Sequence, residues 1–358
     1  MNIEKSLEKD GIIVTEKLDK GIVLKIANNI SKKIVNNLPN LNLNENEIFT
    51  KLFSLNMYKA HMPESLAEAS YSYKTSSIYF NSNIPNEDLE EFAIHECLHY
   101  LQEIKNSNGQ IKKMGLSTFS LFASTGTGLN EAAVQYISAK IIGIKPDFEK
   151  YYDINLYTPS PSYYPVECAL LNELIFFIGE ETLFKSTYFS TDSFKNKIIS
   201  LTSREVFEQI QLDFDNILKY EEEIIKLNNK ISYIENENTI TKLQENIFKL
   251  RKNINSTFFH TQNLIIERFF NSLFNKISNL EELENFRRKI TDFSQFIGIT
   301  DNYTFFDNYY QETMNRLEHK CNVLENGEID TAISKKEVSF LFKILEKLKG
   351  LFYLKKFN

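Results

Sequence analysis

The sequence predicts an α+β fold, predominantly α. A small β-sheet is expected in the N-terminal half, followed by an all-helical region built around an antiparallel hairpin. Three observations carry this expectation. Glycine and proline number only 11 and 7 in 358 residues, about half the usual share, whereas a sandwich, barrel or propeller turns roughly every 8–12 residues. These turn formers are also lopsided: all seven prolines precede residue 166, and no glycine lies between Gly179 and Gly298. Finally, strand-like alternation occurs only between residues 58 and 81, while beyond residue 200 apolar residues step by three and four. Two domains are therefore expected, 1–200 and 201–358.

The elements follow from local chemistry. Ile22, Leu24, Ile26, Ile30, Ile34 and Val35 mark a helix closed by Pro39, and a short helix is expected over 45–55. YKAHMP (58–63), ASYSYK (69–74) and SSIYFN (76–81) read as strands, and no other stretch does so convincingly. Pro85-Asn86-Glu87-Asp88 opens a helix running to about Lys105, with acids in the first turn to complement its dipole. A Gly/Ser/Thr-rich loop (115–128) leads into the helix LNEAAVQYISAKIIG, and the loop YTPSPSYYP (157–165) leads into an apolar helix ending at Gly179. The hairpin spans about 204–278. Ile224, Leu227, Ile231 and Ile234 form one stripe, and Ile240, Leu243, Ile247, Leu250 and Ile254 another in a shifted frame, so the chain reverses at ENEN (235–238). Further helices are expected at 281–296, 303–325 and 331–356. The stripe Tyr303, Phe306, Tyr310, Met314, Leu317, Cys321 and Leu324 reads as core.

Composition excludes several function classes. Net charge is −7, with −5 accumulated by residue 200, and all six arginines lie at or after Arg204. Neither half has the basic face that a phosphate backbone requires, so no nucleic-acid partner is expected. Cys97, Cys168 and Cys321 are widely spaced and odd in number, which argues against a disulfide framework. The N-terminal MNIEKSLEKDGIIV is charged where a leader is apolar, and no stretch approaches the ~18 apolar residues of a transmembrane segment. A cytoplasmic protein is expected, with export lacking a cleavable leader as the alternative. The terminal FLFKILEKLKGLFYLKKFN (340–358) is basic and amphipathic, and reads as a helix docked on the core rather than on a membrane.

One constellation carries chemistry. His95-Glu96-Cys97-Leu98-His99 matches H-E-x-x-H on a predicted helix, and with five histidines in the chain an accidental match is about a one-in-a-hundred event. Spacing i,i+4 places both imidazoles on one face, where they can share a zinc ion, and Glu96 lies near enough to act as general base without ligating. A third ligand is needed. Gln102 and Lys105 stand where a metzincin has Gly and His, and Glu103 is one turn too far along. The remaining imidazoles are His61, His260 and His319. Glu131 is the best candidate, since it follows Gly126, Gly128 and Asn130 and precedes Ala132 and Ala133, small residues that allow two helices to approach closely; Glu167 is the second choice. Cys97 reads as small filler, a second ExxH is missing, and no phosphate-binding loop is present.

HECLH followed 32 residues later by Glu131 in LNEAAVQY resembles the gluzincin branch of zincin metallopeptidases, the thermolysin-like group. The likeness is greatest to its bacterial members carrying a Leu-Asn-Glu-Ala/Gly stretch, and it spans about residues 56–190. The resemblance implies a zincin-like domain with His95, His99 and Glu131 as Zn2+ ligands and Glu96 as the base. It also implies that an extended peptide lies along SSIYFN as a sheet edge. Two departures stand out. Val134-Gln135 replaces the Ser-Asp that follows the third ligand, leaving the Gln135 amide oxygen to orient a ligand histidine without a charge. The catalytic half also lacks arginine, so Tyr164 is taken as oxyanion donor, with Tyr163, Tyr100 and His260 behind it.

The expectation is zinc-dependent hydrolysis of a peptide or protein substrate, with the hairpin available to a protein partner. The competing reading is a catalytically inactive zincin-fold scaffold that works through the hairpin, and fold analogy also leaves room for a hydrolase acting on other bonds.

Overall fold

A computed structural model describes residues 11–63, 68–120, 123–297 and 303–326. The chain is mixed α and β with helix predominant, as expected. Strand β1 (Ile13–Lys17) precedes α1 (Lys20–Asn37), which Asp19 caps by accepting the Gly21 N–H at 2.6 Å, and α2 (Glu45–Phe53), capped by Asn44. Three strands follow: β2 (Asn56–His61), β3 (Ala69–Ser72) and β4 (Ser77–Asn81). With β1 they form a mixed sheet in the order β1-β2-β4-β3, β2 and β4 running parallel and the other pairs antiparallel. The tight β3–β4 turn folds β3 back onto the outside of β4. SSIYFN is consequently an interior strand, Ser77 through Phe80 all buried, and the outer position beside the metal-motif helix belongs to β3. The expectation that SSIYFN offers a free edge is corrected on that ground.

The motif helix α3 covers Leu89–Leu101 and ends four residues earlier than expected. Glu103 lies instead on β5 (Glu103–Lys105), the first strand of a second sheet. That sheet is an antiparallel meander through β6 (Ile111–Met114), β7 (Ser117–Phe119) and β8 (Ser124–Thr125), so the segment taken as a loop at 115–128 contains two strands. A third ribbon pairs β9 (Asp147–Tyr151) with β10 (Ile154–Thr158). These strands are short and mostly exposed, and they lack the long apolar alternation that reveals a strand in a sequence.

Helix α4 (Thr127–Ile142) is the centre of the molecule. Eleven of its sixteen residues are buried, around its whole circumference, which is the pattern of a helix enclosed by others rather than lying on a surface. It packs on α3, on α5 (Pro165–Ile178), on α6 (Glu180–Tyr188) and on α8 (Arg204–Ile231). Helix α7 (Ser193–Leu201) connects α6 to α8. Helices α8 and α9 (Glu237–Phe274) form the expected antiparallel hairpin, reversing at ENEN, where Asn236 caps α9 by accepting the Thr239 N–H at 3.0 Å.

Packing is continuous across residue 200. Phe177 of α5 stacks on Phe269 of α9 at 4.7 Å between ring centres and meets Phe270 at 4.9 Å and Phe293 at 5.3 Å. Phe293 belongs to α10 (Leu280–Ile297), and α11 (Tyr303–Asn326) adds Phe306 and Leu317, the buried part of its expected stripe. One set of buried apolar side chains runs from Leu18 to Leu317. The helix expected at 331–356 and the basic segment 340–358 lie outside the described residues. No helix among the described residues is long and apolar enough to cross a membrane.

Glu173 of α5 is buried in this shared core, where Gln262 of α9 donates to its Oε1 at 2.6 Å. Burial pushes its carboxyl up from 4.5 to about 8, against the Gln262 bond. Folded Glu173 thus keeps a proton that the unfolded chain has released. Its stabilising contribution is complete below pH 4.5 and lost as pH rises through about 8. Glu173→Gln, an isostere of the protonated acid, is expected to raise the melting temperature relative to wild type by about 3 °C more at pH 8.5 than at pH 5. A calorimetric series at the two pH values checks this.

Candidate metal centre

Helices α3 and α4 pack against each other, and Ala93, Ala132 and Ala133 near the candidate ligands are all fully buried. That packing brings three side chains to one point. His95 Nε2 and His99 Nε2 are 3.0 Å apart, and each lies 3.3 Å from Glu131 Oε2. Ligand atoms bound tetrahedrally at about 2.0–2.1 Å from zinc are separated by about 3.3–3.4 Å, so the three atoms have the spacing of one tetrahedral face. Among the described residues, this is the one group of three metal-capable side chains. The donor set, two imidazoles and a carboxylate, leaves a fourth position for water or substrate.

The tautomer of His95 is fixed by a relay. The Ser160 hydroxyl donates to the Tyr163 carbonyl at 2.7 Å, so its oxygen is free to accept from Gln135 Nε2 at 2.9 Å. This orients the amide, turning Gln135 Oε1 toward His95 Nδ1 at 3.0 Å. An acceptor there requires a proton on Nδ1, so in the neutral ring the lone pair falls on Nε2, which faces Glu131 and His99. The sequence reading gave Gln135 this task, and the amide stands in place to do it. Ser160 was not identified, because a serine in YTPSPSYYP looks like any turn residue. The buried His99 Nδ1 has no such partner among the described residues.

Glu96 is not one of the metal-capable group. Its Oε2 accepts the backbone N–H of Tyr71 in β3 at 2.7 Å. Burial pushes its carboxyl up to about 7, opposed by His95 and by the Tyr71 N–H and assisted by the Glu131 charge. Burial would also raise Glu131, but the imidazoles of His99 and His95 outweigh it and hold this carboxyl well below the ordinary range. The two acids of the site are thus driven apart in proton affinity by their neighbours. No sequence signal marks the Tyr71 contact, since any residue supplies a backbone N–H.

Tyr164 stands at the N-terminus of α5 with its ring stacked on His95, 6.1 Å between centres and 22° between planes. Its φ of +49° is a left-handed conformation that costs a tyrosine about 1–2 kcal/mol, and that conformation accompanies the ring's place over the histidine. Burial, then the charges of Glu131, Glu96, Glu167 and Glu221, keep its hydroxyl protonated far above its ordinary range. The other oxyanion candidates are engaged elsewhere. Tyr163 donates to Glu68 at 2.9 Å, Tyr100 contacts Ser54, and His260 pairs with Asp213 of α8 at 3.0 Å.

The remaining ligand candidates are likewise accounted for. Glu167 is fully buried but faces Glu221 of α8, not the histidines. Burial pushes Glu167 up to about 7 and Glu221 higher still, so the two carboxyls hold at least one proton between them. Glu103 accepts from the Tyr71 hydroxyl at 2.8 Å, His61 contacts Ser82, and His319 is exposed on α11. Cys97 is buried filler in α3, its thiol pushed up by burial.

Gln135→Leu, which keeps the volume and removes the acceptor, is expected to weaken zinc binding about 10–100-fold. Titration against a chromogenic chelator reads this directly, and unchanged affinity would remove Gln135 from the centre. The chain matches no family model, no curated protein and no solved structure with which it was compared.

Proposed function

We propose that the protein is a zinc-dependent peptidase of the gluzincin type, in which His95, His99 and Glu131 hold the metal. The observation that carries the reading is the convergence of His95 Nε2, His99 Nε2 and Glu131 Oε2 within 3.3 Å, with a buried carboxyl on the next residue of the same helix. Zinc at such a site supplies Lewis acidity toward a carbonyl oxygen and lowers the pKa of water. The chain's own residues do the rest. Glu96, with one oxygen held by Tyr71, uses the other to take a proton from the attacking water and deliver it to the leaving amine. An affinity near neutral suits both halves of that transfer. The Tyr164 hydroxyl, fixed as a donor, hydrogen-bonds the oxyanion that develops on the substrate. An extended peptide is expected to add to β3, the outer strand beside α3.

The outer half of the hairpin supports the second reading, a scaffold acting through α8 and α9. Past Ile224 in α8 no residue is buried, and Tyr233 at the tip is 85% exposed. A protein partner there is compatible with catalysis as well as with its absence.

Two substitutions test the peptidase reading. Glu96→Gln is expected to retain bound zinc by elemental analysis while cleavage of a peptide library falls at least about 100-fold; undiminished turnover would sink the mechanism. Glu131→Ala is expected to lose most bound metal at micromolar protein, and full occupancy in that variant would exclude Glu131 as a ligand.

A further inference from the structure

The helix that carries Glu131 starts without a cap of its own. Its N-cap position is Gly126, which has no side chain to accept the first backbone N–H groups, and an uncapped buried helix start is costly. The acceptor comes from elsewhere. Asp215, in the middle of α8, receives the Gly126 N–H on Oδ2 at 2.8 Å and the Gly128 N–H on Oδ1 at 2.8 Å, and the Thr127 N–H also donates to it. One carboxylate thus takes three consecutive donors at the positive end of α4, where a negative charge is also favoured by the helix dipole.

The surrounding contacts leave this junction no slack. Gly126 has φ +77°, and a Cβ there would lie 2.4 Å from Gln211 Nε2 and 2.9 Å from the Leu116 carbonyl. A Cβ on Gly128 would lie 2.2 Å from the Phe214 carbonyl oxygen, backbone against backbone. On the opposite side, buried Asn130 accepts the Leu116 N–H at 2.9 Å. Glu131 follows at once, less than one turn beyond Gly128, so a shift of the first turn of α4 moves the third ligand relative to His95 and His99.

We propose that Asp215 is a positioning residue for the metal centre: its carboxylate seats the start of α4 on α8 and so sets where Glu131 stands against the two histidines. The inference rests on the reading of His95, His99 and Glu131 as metal ligands. It assigns the hairpin helix a part in the site that no motif around the ligands discloses.

The test uses the full chain and two readouts, zinc affinity by chelator competition and the visible absorption of the cobalt-loaded protein, which reports ligand geometry. Asp215→Ala is expected to weaken zinc about 10–100-fold and to alter the cobalt spectrum, with Asp215→Asn intermediate because one acceptor oxygen survives. Gly128→Ala, pressing α4 off α8, is expected to act in the same direction. Ile217→Ala, a buried position two residues along α8, controls for loss of stability alone and is expected to lower the melting temperature while leaving affinity and spectrum unchanged. If Asp215→Ala does not fold, Asp215→Asn and Gly128→Ala carry the comparison. Wild-type affinity and spectrum in the Asp215 variants, or equal losses in Ile217→Ala, would overturn the proposal while leaving the metal centre standing. Wild-type protein that binds neither metal, or binds them as well after His95→Ala, would overturn both.

Discussion

Everything at the candidate site depends on how closely α3 and α4 approach each other. Three electron-rich atoms within 3.3 Å of one another repel unless a proton or a metal ion lies among them, and the surrounding burial removes the water that would soften that repulsion. The fold maintains this arrangement through packing. Burial around the whole circumference of α4 fixes that helix among its neighbours. The convergence is therefore a property of the whole core, and it is produced by residues that have no chemistry of their own.

The same burial sorts the acids by task. Five carboxyls lie in the core that encloses the site: Glu96, Glu131, Glu167, Glu173 and Glu221. Desolvation pushes each of them toward the protonated form. Only Glu131 escapes, because two imidazoles face it, so the carboxylate of the metal-capable group is also the one held firmly charged. Glu96 rests near neutrality, the range in which a carboxyl can both accept and return a proton. The proton held between Glu167 and Glu221 limits the negative charge that the buried region must bear.

Much of this was legible in the sequence where the signal is local. HECLH states its own geometry, since i,i+4 on a helix fixes a shared face. Glu131 was found from its small neighbours, and the hairpin from the frame shift at ENEN. The second sheet was hidden because strands of two to four residues carry no period. The edge strand was misassigned because alternation shows that a segment is a strand and not which neighbour it pairs with. Ser160 and the Tyr71 N–H act on groups 25 residues away in sequence, a separation that no pattern in one chain records.

The division at residue 200 illustrates the same limit from the other side. The loss of proline and glycine beyond that point is a true change of texture, from short elements joined by turns to long helices. Texture describes how a segment is built; it is silent on what that segment packs against. Helix α8 lies along α4, contributes Glu221 opposite Glu167, and presents its backbone at Phe214 so near to Gly128 that only a glycine fits. Two helices this close must have been brought together by the whole set of surrounding contacts, because the cost of a bare glycine at a helix start is recovered only when a neighbour supplies the missing acceptor. The long helices are thus part of the frame in which Glu131 is held. A partner engaging the exposed outer half of the hairpin would pull on the helix against which the start of α4 is seated.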